Sequence, residues 1–165
     1  MLARLPELIE PLVLVDRNAS IEGELAVAGL DRVVGMLFET TGKVGVKLHF
    51  ARKGKLAAIE GHIEAVLILS CQRCLEAMEW PVSSEFKLGI VSSLAQANNL
   101  PDGYEPLLLI DENKTPLKNI VEDELLLSLP DIPKHPIACM APDITKPGAL
   151  AKASETTTQK TENPF

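Results

Sequence analysis

Val44, Val46, Leu48 and Phe50 alternate with Gly45, Lys47, His49 and Ala51. That period of two marks a half-buried strand, because successive side chains point to opposite faces. Arg52-Lys53-Gly54-Lys55 interrupts the alternation as a turn, and Ala57 to Ser70 reads as a long returning strand, so a hairpin with a basic tip is expected here. A further strand is predicted from about Glu79 to Val91, where Trp80, Val82, Phe86, Leu88 and Ile90 supply packing side chains. Upstream, Ile21, Leu25 and Val27 suggest a first strand with Gly23 and Gly29 near its ends. Asp31 to Phe38 follows as a short helix capped by Asp31.

Downstream the pattern changes. Ser92 to Gly103 is polar and reads as a loop, and Glu105 to Ile110 as another apolar strand. Thr115 and Pro116 fit an N-cap followed by proline at the first helical position. Leu117, Ile120, Val121 and Leu125 then recur at helical spacing, with Leu129 four further on, until Pro130 and Pro133 end the helix. From Ala141 onward Ser, Thr, Lys, Pro and Glu dominate, which predicts a disordered tail over residues 141–165, with Asn163-Pro164-Phe165 as a short contact at its end. No internal repeat is visible. The expected fold is α+β: residues 1–140 form an antiparallel sheet of four or five strands, packed by one long and one short helix.

Composition narrows the functional classes. The 165 residues fit one domain with a real core, and 46% hydrophobic content is enough to fold it. Aromatics make up only 4%, which argues against stacking platforms for single-stranded RNA. A net charge of -7 disfavours binding naked nucleic acid through bulk counterion release. No export signal is read in Met1 to Asp16, and no apolar run reaches the roughly eighteen residues that a membrane span needs. A cytoplasmic protein with reduced thiols and no membrane attachment is expected.

The charge is uneven. Lys43, Lys47, Arg52, Lys53 and Lys55 fall in a stretch without acids, whereas Pro101 to Asp131 carries Asp102, Glu105, Asp111, Glu112, Glu122, Asp123, Glu124 and Asp131 against Lys114 and Lys118. A basic ribbon able to touch phosphate and an acidic helix able to meet a basic partner are therefore candidates, beside the plainer reading of solvated faces. Adjacent helical residues diverge by about a hundred degrees, so Glu122, Asp123 and Glu124 cannot converge on one metal or substrate, and a solvated or partner-facing surface is expected. Glu124 shares the stripe of Ile120 and Val121, and Arg73 is a candidate cation for it.

The strongest chemistry lies in the cysteines. Cys71-Gln72-Arg73-Cys74 ends an apolar run, in an exposed loop between two antiparallel strands. Cys139 is the one other cysteine and lies four positions after His135. A C-x2-C and an H-x3-C make a four-ligand soft site available, with zinc as the sharp reading and a reduced structural thiol turn as the bland one. A thioredoxin-like role fits less well, because that motif opens a helix after a parallel strand. His49 and His62 fall in strands and read as solvent-facing. No Ser/His/Asp order, phosphate-cradling loop or H-E-x-x-H element is present.

Leu69-Ser70-Cys71-Gln72-Arg73-Cys74-Leu75-Glu76, then Leu100-Pro101-Asp102-Gly103-Tyr104-Glu105-Pro106, then Ile120-Val121-Glu122-Asp123-Glu124-Leu125-Leu126-Leu127-Ser128-Leu129-Pro130, with His135 and Cys139 after them, resemble the bacterial YceD family in order and spacing. The similarity runs from Pro11 to Cys139, and the Asn163-Pro164-Phe165 end is also similar to the family's C-terminal segment. The resemblance implies a non-enzymatic cytosolic factor in synthesis, processing or stability of 23S rRNA during large-subunit biogenesis. Its implied partner is a large-subunit ribosomal protein or assembly factor, with rRNA contact direct or indirect. Lys43, Lys47, Arg52, Lys53, Lys55 and Arg73 would serve phosphate, and Glu122, Asp123 and Glu124 the basic partner. The alternative is a small cysteine-turn interaction module, zinc-bound or not, unrelated to ribosomes.

Overall fold

A computed structural model describes residues 3–109 and 114–139. The acids Asp111 and Glu112, Ile110 and the tail expected over 141–165 lie outside the described residues. The strands are β1 (Ala3–Arg4), β2 (Leu8–Ile9), β3 (Ser20–Ala26), β4 (Lys43–Lys53), β5 (Leu56–Ser70), β6 (Ala77–Val91), β7 (Glu105–Leu108) and β8 (Thr115–Pro116). The helices are α1 (Pro11–Asp16), the single turns α2 (Asp31–Val34) and α3 (Leu94–Ala97), and the long α4 (Leu117–Ser128).

The main sheet has six strands in the order β1-β3-β4-β5-β6-β7. Its centre, β3 to β6, is the expected antiparallel meander. Its two outer pairs correct the expectation of an all-antiparallel sheet, since β1 runs parallel to β3 and β7 parallel to β6. Each parallel pair needs a crossover, which α1 and the α3 segment supply. The β4–β5 hairpin closes through Gly54 and Lys55, where Gly54 takes φ +65°, a left-handed conformation that costs glycine little.

Val44, Val46, Leu48 and Phe50 pair across the sheet with Ala65, Ile63, Gly61 and Ile59, so one face carries the core. Val82, Phe86 and Leu88 of β6 extend it, and Leu117, Ile120, Val121 and Leu125 of α4 cover it. The opposite face holds Lys47, His49, Glu60, His62, Glu85 and Lys87, as the period-two pattern requires.

The ends of the helices depart from expectation. Asp31 is the first helical residue of α2, not its cap; Leu30 holds the cap position without a side-chain bond. The Arg32 amide instead donates to Glu122 Oε1 at 3.1 Å, so α4 satisfies the first turn of α2 from across the fold. The helix stops at Val34, short of Phe38, whose amide donates to the Ile68 carbonyl at 2.7 Å. Helix α4 starts two residues after the expected cap, because Thr115 and Pro116 are extended and pair with Ile9 and Leu8. Its first amide, Leu117 N, donates to the Glu7 carbonyl at 3.0 Å. None of the described helices is long and apolar enough to cross a membrane.

Candidate metal centre

The last β5–β6 pair is Ser70 with Ala77, leaving six residues to turn the chain. Cys71 N donates to the Glu76 carbonyl at 2.9 Å, and Leu75 N to the Cys71 carbonyl at 2.8 Å. Leu75 takes φ +64°, a conformation that costs a branched side chain about 1–2 kcal/mol and marks a turn held by its surroundings. After α4, Pro130 ends the helix and the chain folds back over this turn, where Gln72 N donates to the Pro133 carbonyl at 2.8 Å.

That return brings the ligand atoms of Cys71, Cys74, His135 and Cys139 within 4.8 Å of one another. Cys71 Sγ lies 3.6 Å from Cys139 Sγ, and Cys74 Sγ lies 3.3 Å from His135 Nδ1. A tetrahedron with metal–sulfur bonds of about 2.3 Å and a metal–nitrogen bond of about 2.0 Å has edges of roughly 3.5–3.8 Å. The two spacings fit one ion at the centre. Leu69 and Met78, with Leu37, Trp80 and Leu129 against them, form an apolar floor under the sulfurs. Contrary to the expected exposed turn, Cys71 is fully buried.

Arg73 ties this arrangement together. Its Nε donates to Cys139 Sγ at 3.0 Å, and its Nη2 donates to the carbonyls of His135 (3.2 Å) and Ile137 (3.0 Å). The guanidinium is thus committed to the returning segment and does not pair with Glu124 as expected. Thiolate character follows from the same contacts. Burial opposes a charge on Cys71, but the amides of Cys74, His135 and Arg73 outweigh it and lower its pKa to about 5. Burial likewise opposes the Cys139 thiolate, and Arg73 and His135 overcome it. The neighbouring Cys139 and Cys71 sulfurs raise His135. For Cys74 the Glu76 amide favours the thiolate, yet burial and the crowding sulfurs hold its pKa above the ordinary value.

The basic ribbon is occupied elsewhere. Lys43 pairs with Glu24 (2.8 Å), Lys47 with Glu22 (3.3 Å), Arg52 with Asp16 (2.7 Å) and Lys53 with Glu60 (3.3 Å). These exposed pairs add little stability, but they cancel the ribbon's field locally. Lys55 sits in the hairpin turn.

The acidic triplet is also placed differently from a solvated face. Glu122 and Glu124 are buried at 1% and 6% exposure, and Asp123 alone faces out, paired with Arg32. Glu122 has the Arg32 amide. Glu124 has no side-chain partner among the described residues; burial, with the charges of Glu105 and Asp123, pushes its pKa up to about 7. A folded-state pKa above the unfolded value means the folded chain binds this proton more tightly, so stability present at low pH is lost as pH rises through about 7. Glu124→Gln is therefore expected to melt about as the parent does near pH 5 and higher by roughly 3 °C near pH 8, on the order of 1 kcal/mol after screening. Equal offsets of the two melting curves at both pH values would refute this.

Comparison with known proteins gives a consistent picture. Residues 59–165 match the family model for "Large ribosomal RNA subunit accumulation protein YceD". A Haemophilus influenzae protein of that name is similar, with 31% identity over 133 residues that cover 80% of this chain and 76% of the relative. No solved structure matches.

Proposed function

The chain belongs to the YceD family, and on that premise we propose that it is a non-enzymatic cytoplasmic factor supporting synthesis, processing or stability of 23S rRNA in large-subunit biogenesis. The observation that carries this reading is the match across most of the chain to proteins named for large ribosomal RNA subunit accumulation. The Cys71, Cys74, His135 and Cys139 cluster is read as a zinc site that fixes the end of the sheet, supported by its donor set and edge lengths. All four positions are taken by protein ligands, which suits a structural ion.

The partner is read as a basic large-subunit ribosomal protein or assembly factor, with rRNA reached through it. Four of the five cations of the ribbon are neutralised by neighbours, which favours this route over direct phosphate binding. The test is the ratio of 23S to 16S rRNA, mature and precursor, in cells lacking the protein and in cells given it back. A selective fall in 23S, restored by the wild-type chain, is expected. An unchanged ratio would overturn the reading and leave an interaction module unrelated to ribosomes.

A further inference from the structure

Strand β6 is paired along its full length with β5, but on its outer side β7 covers only Leu88 to Val91. Among the described residues no strand pairs with the outer side of Ala77 to Lys87. Pro81 guards the first part of that edge, because proline offers no amide to a new strand. From Val82 to Lys87 the edge is free of proline and open. Open edges recruit extended chains unless something blocks them.

An open groove of about 920 Å³ crosses the polar face of the sheet from Glu22 and Lys47 through His62 and opens at this edge. At the edge end of the groove Ser84 to Lys87 lie on β6, and Glu105, Glu124 and Leu127 lie beyond them. Glu85 and Lys87, on the polar face, offset each other in charge. The α4 side has no such balance: Glu105 and Glu124 both line it, and no cation pairs with either among the described residues. Glu124 is 94% buried by its 6% exposure, yet its carboxylate has no hydrogen-bond partner among the described residues. The carboxylate oxygens are not sealed off, since His62 Nδ1 is the one fully buried side-chain polar atom without a partner among the described residues, so they are reachable from the groove. Leu127, 69% exposed one turn further on, adds an apolar shelf.

We propose that this groove docks an extended segment of a basic protein, which adds a strand to β6 beside Val82–Lys87 and places a lysine or arginine side chain between Glu105 and Glu124. The added strand would continue the row that β7 begins at Glu105, so backbone pairing sets its path and the two carboxylates select its charge. Every second side chain of such a strand points toward α4. A strand that carries a cationic residue and, two positions on, an apolar one on its α4-facing side therefore matches both Glu124 and Leu127. The inference rests on the proposed ribosomal reading for the partner's basic character and adds where, and through which groups, that partner is held.

The test uses the whole chain and a fluorescently labelled peptide of about seven residues, Arg-Thr-Val-Thr-Arg-Thr-Val, which carries arginine and valine in turn on one face, followed by anisotropy. Saturable binding is expected, about ten-fold weaker in the double variant Glu105→Gln/Glu124→Gln and unchanged in Glu39→Gln, which removes an acid elsewhere. Both variants are nearly isosteric, and cooperative melting at no lower temperature than the parent shows that they fold. A peptide N-methylated at alternate residues keeps the charge but loses backbone donors, and it is expected not to bind. No binding by the wild-type chain would overturn the proposal, as would equal weakening in the double variant and Glu39→Gln. Equal binding of the N-methylated peptide, or spermidine or an oligonucleotide taking the same groove, would overturn it too. If loss of the protein lowers 23S rRNA but the peptide fails to bind, this inference falls alone; if the peptide binds and rRNA is unchanged, the ribosomal reading falls alone.

Discussion

Removing zinc with a chelator, or replacing Cys71 and Cys74 together by serine, is expected to lower the melting temperature by about 10 °C while leaving the sheet folded. Two features set the size and limit of the effect. The main core, from Val44 and Phe50 through Ile59 and Ile63 to Leu125, meets the small apolar cluster of Leu69, Cys71 and Met78 beneath the ligands through the partly buried Leu37, Trp80 and Leu129. Loss of the ion frees one end of the molecule rather than the whole. What it frees is the turn Cys71–Glu76 and the segment 133–139, whose other links to the turn among the described residues include the backbone bond from Gln72 to Pro133, the His135 amide at Cys71 and the Arg73 contacts. With the ion gone, Cys71 and Cys139, whose sulfurs lie 3.6 Å apart, must share a proton or move apart, and the turn that carries Leu75 in a left-handed conformation loses its clamp. The protein as purified is expected to hold one zinc per chain by elemental analysis. Amide exchange should accelerate in residues 71–76 and 133–139 and stay slow in β4 and β5. A chain without stoichiometric metal, or melting curves that chelation leaves unmoved, would remove zinc from the account. If zinc supports the proposed function, the double serine variant should restore 23S rRNA poorly, whereas Cys74→Ser alone, which keeps three ligands, should fall between.

The long strands and the cysteine site were legible because their signals are local. Period-two alternation from Val44 to Phe50 needs no knowledge of the rest of the fold, and Cys71, Cys74, His135 and Cys139 are distinctive by residue type and spacing. What escaped is what depends on distant backbone. The amide of Arg32 is satisfied by Glu122, ninety residues away, so Asp31 had no capping role left and pairs with Lys118 instead. Thr115 and Pro116 are drawn into pairing with Leu8 and Ile9, which shifts the start of α4. Helix α1 carries the Leu12-Val13-Leu14-Val15 run, whose β-branched residues hide a helix; Pro11 at its first position was the available signal. The parallel outer pairs could not be read either, since β1 has two residues and β7 four, too few for any period to show. In Glu122-Asp123-Glu124, three adjacent acids suggest a wet face, but α4 lies against both β6 and α2, so the outer two acids are enclosed and only Asp123 points out.

Gly61→Ala is expected to destabilise the fold by about 2–3 kcal/mol, a fall of roughly 7 °C in melting temperature, although alanine suits a strand better than glycine in isolation. The reason is the ring of Phe86. A Cβ at position 61 would stand 2.1 Å from its Cζ and within 2.6 Å of both Cε atoms, so the buried ring must leave its place. Gly61 pairs directly with Phe86 across β5 and β6, and the ring lies over the gap the missing side chain leaves. Phe86→Leu shortens the side chain and should relieve the clash, so the double variant is expected to be more stable than the sum of the single effects allows. Additive effects would show that the ring can swing aside freely. The pair also bears on the groove, because Phe86 lies in the open stretch of β6 and lines the same cleft as Glu124. A ring displaced by Gly61→Ala moves into the path proposed for the added strand, so peptide binding should weaken in that variant and recover in Gly61→Ala/Phe86→Leu, while metal content stays the same in both.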